Sequence, residues 1–128
     1  MRNLDKFRGC MVGGAIGDAL GYPVEFMNIA QIRQRFGSEG ISRYELRDGV
    51  AQISDDTQMT LFTATGLLFG ETRGRMRGIG AGPIGYFDMA YRDWYFTQTK
   101  PYPLNDGIYY TSWLVNLKEF FERRAPGN

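Results

Sequence analysis

Histidine is absent from all 128 residues. Serine or cysteine nucleophiles paired with histidine therefore cannot operate from this chain alone, and zinc sites built on imidazole cannot form. Cysteine occurs once, as Cys10, which excludes an intrachain disulfide and any multi-thiolate metal centre. Its apolar neighbours in a predicted helix suggest a small buried hydrophobe. Charge of one sign is lacking too: 15 basic residues against 14 acidic leave a net charge of +1. No global field argues for nucleic acid or an acidic membrane, so a charged ligand must be recognised locally. No stretch approaches the roughly 18 consecutive apolar residues of a membrane span, and MRNLDKFRG lacks the apolar core of a signal peptide. These absences lead us to expect a soluble, cytoplasmic protein with no nucleic-acid or membrane partner. If a metal binds, its ligands are oxygens, which suit Mg²⁺, Mn²⁺ or Ca²⁺.

What is present reads as helix. Leu4, Phe7, Met11, Ala15 and Ala19 recur at helical spacing over residues 3 to 20, and Pro23 closes the segment. Gly9, Gly13, Gly14 and Gly17 lie inside it, each costing about 1 kcal/mol against alanine. Close helix packing would offset that cost; so would backbone that must approach a ligand. A short helix is expected at residues 29 to 36, then a small hairpin or irregular loop around Asp48 and Gly49. The next helix starts at Ser54 or Asp55 and is expected to stop at Gly70, with apolar stripes through Leu61, Thr65 and Leu68 and through Met59, Phe62, Gly66 and Phe69. ETRGRMRGIGAGPIG, residues 71 to 85, reads as a Gly and Arg loop. GAGPIG within it follows no strand and contains proline, which speaks against a dinucleotide fingerprint. Arg73, Arg75 and Arg77 are either solvated or an anion site. Helices are expected at residues 84 to 98 and 107 to 123, so the class is all-α, in one segment over residues 1 to 128.

SDDT, Ser54 to Thr57, carries four consecutive oxygen-bearing side chains at a helix start. Aspartate is favoured there because its oxygens accept free amide hydrogens and its charge suits the positive dipole end. One aspartate satisfies that need. The pair is thus either a cap with a second solvated acid, or two carboxylates converging on a cation where the backbone leaves helical geometry.

GDALGYPVEF, Gly17 to Phe26, followed by SDDTQM, Ser54 to Met59, resembles the ADP-ribosylglycohydrolase family in order and spacing, as does AYRDWYFTQTKPY, Ala90 to Tyr102. The resemblance covers nearly all of this chain but only the N-terminal portion of a family member. It implies an all-α ADP-ribosylglycohydrolase-like helical bundle, incomplete here, and a hydrolase that removes ADP-ribose from a modified protein or small molecule. It further implies two Mg²⁺ or Mn²⁺ ions at the base of the substrate cleft. Ser54, Asp55 and Asp56 take the positions of metal ligands, with serine where many members carry threonine. Glu25, with Asp55 and Asp56, takes a catalytic position, as the acid near the scissile bond. Asp18 and Thr57 take supporting positions behind the ligands.

Family members complete the metal site with a second acidic motif far toward the C-terminus, in chains more than twice this length. None of Glu71, Asp88, Asp93, Asp106, Glu119 or Glu122 is flanked in that way. The expectation is a shortened product, inactive alone, that self-associates or needs its missing remainder. Nine Phe, eight Tyr and two Trp add to it, being many to bury in a small helical domain. The alternative class is a non-catalytic ADP-ribose or metal-binding module, or a structural, crystallin-like one.

Overall fold

The computed structural model describes residues 3–78 and 82–124. Its elements run α1 (Leu4–Gly21), a 3-10 turn (Tyr22–Val24), α2 (Ile29–Phe36), β1 (Leu46–Arg47), β2 (Val50–Ala51), α3 (Asp55–Arg77) and α4 (Pro83–Thr99). Two further 3-10 turns follow, Trp113–Asn116 and Lys118–Phe121. The fold is all-α, the one sheet among the described residues being a pair of two-residue strands. The chain divides into two compact units, Met1–Thr57 and Gln58–Asn128.

In the first unit, local chemistry sets the helix ends. The Asn3 side chain accepts from the Asp5 amide at 3.0 Å and starts α1. A capping box starts α2: Asn28 accepts from the Gln31 amide at 3.0 Å while Gln31 accepts from the Asn28 amide at 2.9 Å. Arg35 grips Glu45 through both carboxylate oxygens, at 2.8 and 2.7 Å, tying α2 to the approach to β1. Asp48 and Gly49, at φ 52° and 80°, turn β1 into β2, pairing Leu46 with Ala51 and Arg47 with Val50. Two consecutive positive φ values match a twisted two-residue hairpin.

Of α1, only Ala19 is buried, and Leu4, Phe7, Val12 and Ile16 are exposed. Cys10 is exposed as well, contrary to expectation, because it shares the outward side of the helix with the glycines. A Cβ placed on Gly9, Gly13, Gly14, Gly17 or Gly21 would meet nothing within 4 Å. Packing among the described residues therefore does not account for this glycine series.

The second unit holds the larger core: Phe62, Ala90, Trp94, Leu114 and Val115, flanked by Met59, Leu61, Leu104, Tyr110 and Phe120. Here glycine does serve packing. A Cβ on Gly66 would lie 2.8 Å from the Tyr86 carbonyl oxygen, and one on Gly70 would lie 2.5 Å from the Tyr86 ring. That close approach explains why α3 runs through Gly70, where the sequence suggests a stop, and reaches Arg77, converting half of the expected Gly and Arg loop into helix. Leu68 is exposed, so the stripe through Leu61 and Thr65 is covered at those two residues and opens at its C-terminal end. Residues 79 to 81, the middle of that loop, lie outside the described residues.

The expected helix at 84 to 98 is α4, opened by Pro83 at its first turn. The expected helix at 107 to 123 is replaced by the two 3-10 turns. The reason is Asp93, fully buried on α4, whose Oδ2 accepts from the Thr111 amide at 2.7 Å, the Thr111 hydroxyl at 2.8 Å and the Ser112 amide at 2.8 Å. Ser112 in turn caps the following turn through the Leu114 amide at 3.3 Å. Gln58 is the polar hub of the core: its Oε1 accepts from the Trp94 indole at 3.1 Å and from Gln98 at 3.2 Å, and its Nε2 donates to the Glu122 carbonyl at 3.1 Å.

Candidate functional site

Ser54, 2% exposed, begins α3 by accepting from the Asp56 amide on its Oγ at 3.1 Å. The SDDT stretch is thus a helix cap, and the cap is held from behind. Asp18, in the last turn of α1, places Oδ2 2.9 Å from the Ser54 amide and 3.3 Å from the Thr57 amide, and also accepts from the Thr57 hydroxyl. One carboxylate oxygen therefore receives three donors from two buried residues. GDALG and SDDT, separated by some thirty residues of chain, are joined by this single oxygen.

The brace leaves the other acids free. A cavity of about 230 Å³ is lined by Asp18, Gly21, Tyr22, Glu25, Ser54 and Asp56. Asp55, half-buried, is not part of that lining, whereas Asp56 and Glu25 are exposed. The 3-10 turn at Tyr22–Val24 carries the chain to Glu25, whose own amide closes that turn on the Tyr22 carbonyl at 3.3 Å. Gly21 and Tyr22 also line the cavity; both lie within GDALGYPVEF, the segment that carries the family resemblance, but neither was singled out as a site residue.

Negative charge accumulates here, and no ion pair among the described residues offsets it. Desolvation, then the charges of Asp55, Asp56 and Asp18, push the Glu25 carboxyl above its ordinary value. Partial burial raises Asp55 as well, with Asp56 and Asp18 adding to it against a backbone hydrogen bond that lowers it. Like charges gathered so closely favour either a proton or a metal ion. The donors are all oxygen, the chemistry of Mg²⁺ and Mn²⁺. Among the described residues, no group of three or more His, Cys, Asp or Glu is arranged to hold an ion. The donor set thus fits a hard cation as part of a site, with ligands still to be supplied.

The ADP-ribosylglycohydrolase family model matches residues 1–128. This chain belongs to the ADP-ribosylglycohydrolase family. Among its ADP-ribosylglycohydrolase relatives, the ADP-ribosyl-[dinitrogen reductase] glycohydrolase of Rhodospirillum rubrum is 43% identical over 61 residues, 44% of this chain and 20% of that protein. An uncharacterized protein of Archaeoglobus fulgidus is 37% identical over 73 residues, 50% of this chain and 22% of its own length. The matches therefore span about a fifth of each of these two proteins. No solved structure matches the chain. ADP-ribosylglycohydrolase membership makes this a chain of a hydrolase family, and no described helix is long and apolar enough to cross a membrane.

Proposed function

We propose that this chain supplies one wall of an ADP-ribosyl hydrolase site, acting on ADP-ribose joined to a protein or a small molecule. The observation that carries the reading is the Asp18 oxygen that fixes the SDDT cap beside Glu25 around one cavity. In this reading Asp55, Asp56 and the Ser54 hydroxyl hold Mg²⁺ or Mn²⁺, and Thr57 keeps its hydroxyl on Asp18 so that the cap cannot turn. A bound cation supplies Lewis acidity toward water and the ribose hydroxyls.

Hydrolysis at the anomeric carbon breaks the bond to the leaving nitrogen or oxygen and forms a bond to water oxygen, through an oxocarbenium-like state. The water proton must leave and the leaving atom must gain one. Glu25 suits that exchange: its exposed carboxyl, pushed above its ordinary value by desolvation and then by Asp55, Asp56 and Asp18, can take a proton on a carboxylate oxygen and return it. Among the described residues no three such side chains are arranged to hold an ion, which favours a half-site that is inactive alone. A second copy, or further chain of the family type, would complete it.

The test is a thermal melt with and without Mn²⁺ and ADP-ribose, beside an Asp55→Asn, Asp56→Asn variant. Ligand at about 100 times its dissociation constant adds about 2.7 kcal/mol to the folded state. A metal-dependent rise in melting temperature that the variant loses is the expected result. An equal rise in both proteins, or none in either, removes the acids from any metal role.

A further inference from the structure

The far end of α3 carries a second concave surface. Phe69, Thr72, Arg73, Met76 and Arg77 of α3, with Tyr109, line a cavity of about 390 Å³. That volume falls within the range of small-molecule sites. Phe69, Arg73 and Arg77 follow at four-residue intervals, one above the next on a single face of the helix. No acidic residue lines the cavity. Arg75, the third arginine of the segment, turns away to Glu71, at 2.6 Å. Arg73 and Arg77 make no ion pair among the described residues, and the Nε of Arg73 is buried without a hydrogen-bond partner. The Arg73 guanidinium lies over the Phe69 ring, 5.6 Å from its centroid.

The apolar half of the cavity is equally uncovered. Met76 is 79% exposed and Tyr109 75%, in a unit that buries Phe62 and Ala90 completely. Arginines near a helix C-terminus suit its dipole, which explains Arg77 alone. It explains neither the buried, unpaired Nε of Arg73 nor the thioether and phenol set around the same opening. Two guanidiniums without an ion pair among the described residues, beside exposed flat and polarisable side chains, are complementary to a ligand with an anionic head and an aromatic body.

We propose that this cavity binds a small aromatic anion, its phosphate or carboxylate held by Arg73 and Arg77 and its ring lying against Met76 and Tyr109. The test uses the whole chain in EDTA, so that no metal occupies the acidic cap, with the Met76 methyl resonance as reporter. Phenyl phosphate, benzoate, inorganic phosphate and phenol are the probes, and the first two separate a phosphate head from a carboxylate. A saturable Met76 shift is expected for phenyl phosphate or benzoate, with half-saturation below about 1 mM. Inorganic phosphate and phenol should each bind at least fivefold more weakly. Arg77→Gln, at an exposed position, should keep the fold and weaken binding at least fivefold, as should Arg73→Gln. No saturable shift up to about 10 mM overturns the proposal. So does binding unchanged by Arg77→Gln, or inorganic phosphate binding as well as the aromatic anions.

Discussion

Replacing Asp18 with alanine tests whether one oxygen holds the acidic cap. The change removes the acceptor for the Ser54 amide at 2.9 Å, the Thr57 amide at 3.3 Å and the Thr57 hydroxyl. Ser54 and Thr57 are 2% and 8% exposed, so water does not readily replace what is lost. A buried donor left unpaired costs about 1–3 kcal/mol. The 3.3 Å contact is the weaker of the two amide bonds, and the hydroxyl can rotate to another acceptor. The expected loss is therefore about 2–4 kcal/mol rather than the sum of three full penalties. At roughly 3–5 °C per kcal/mol for a chain of this size, the melting temperature should fall by about 6 °C or more. Urea unfolding followed by circular dichroism measures the loss, and amide exchange at Ser54 and Thr57 localises it. Thr57→Val should cost about 1 kcal/mol with Asp18 present and close to nothing in the Asp18→Ala background, because the two changes share one contact. Asp18→Ala below about 0.5 kcal/mol, or additive losses in the double variant, would refute the brace.

Glycine substitutions should separate the two helices: Gly66→Ala drives a Cβ to 2.8 Å from the Tyr86 carbonyl and should cost about 1–3 kcal/mol, whereas Gly13→Ala meets open space and should gain up to about 1 kcal/mol, both read by chemical denaturation. Gln58→Leu leaves the buried Trp94 indole without its acceptor, so a loss of about 1–3 kcal/mol with altered tryptophan emission is expected. The Asp106 carboxyl, held down to about 2 first by Lys100 and then by Tyr110, stabilises the fold above the ordinary aspartate range and loses that contribution as pH falls through about 2. Tyr110, raised to about 12 by desolvation and then by Asp106, contributes below its ordinary value near 10 and loses that contribution as pH rises through about 12. Melting curves against pH should therefore decline at both extremes, and Asp106→Asn should remove this part of the acid decline and reduce the alkaline one.

Helical periodicity made α1, α2 and α4 legible to within a residue or two, because each carries its own capping or breaking residue, Asn3, Asn28, Gly37 or Pro83. The end of α3 was not, since Gly70 is a stop signal locally and becomes a contact point only when Tyr86 lies against it. The same holds for residues 107 to 123, where apolar spacing suggests a helix and the buried Asp93 carboxylate instead anchors a turn at Thr111 and Ser112. At the acidic cap, residue types and order were legible and their connection was not. That one Asp18 oxygen serves both Ser54 and Thr57 depends on where the end of α1 lies in space.

The open glycine side of α1 bears on how this site fluctuates. A helix with one buried side chain and several interior glycines belongs at the low end of the local unfolding scale, where segments open without the whole molecule melting. Asp18 stands in its last turn, so each opening of that turn releases Ser54 and Thr57 and frees the cap. Whatever covers α1 would therefore also steady the acids, and a ligand held by the acids would favour the covered helix to the same degree.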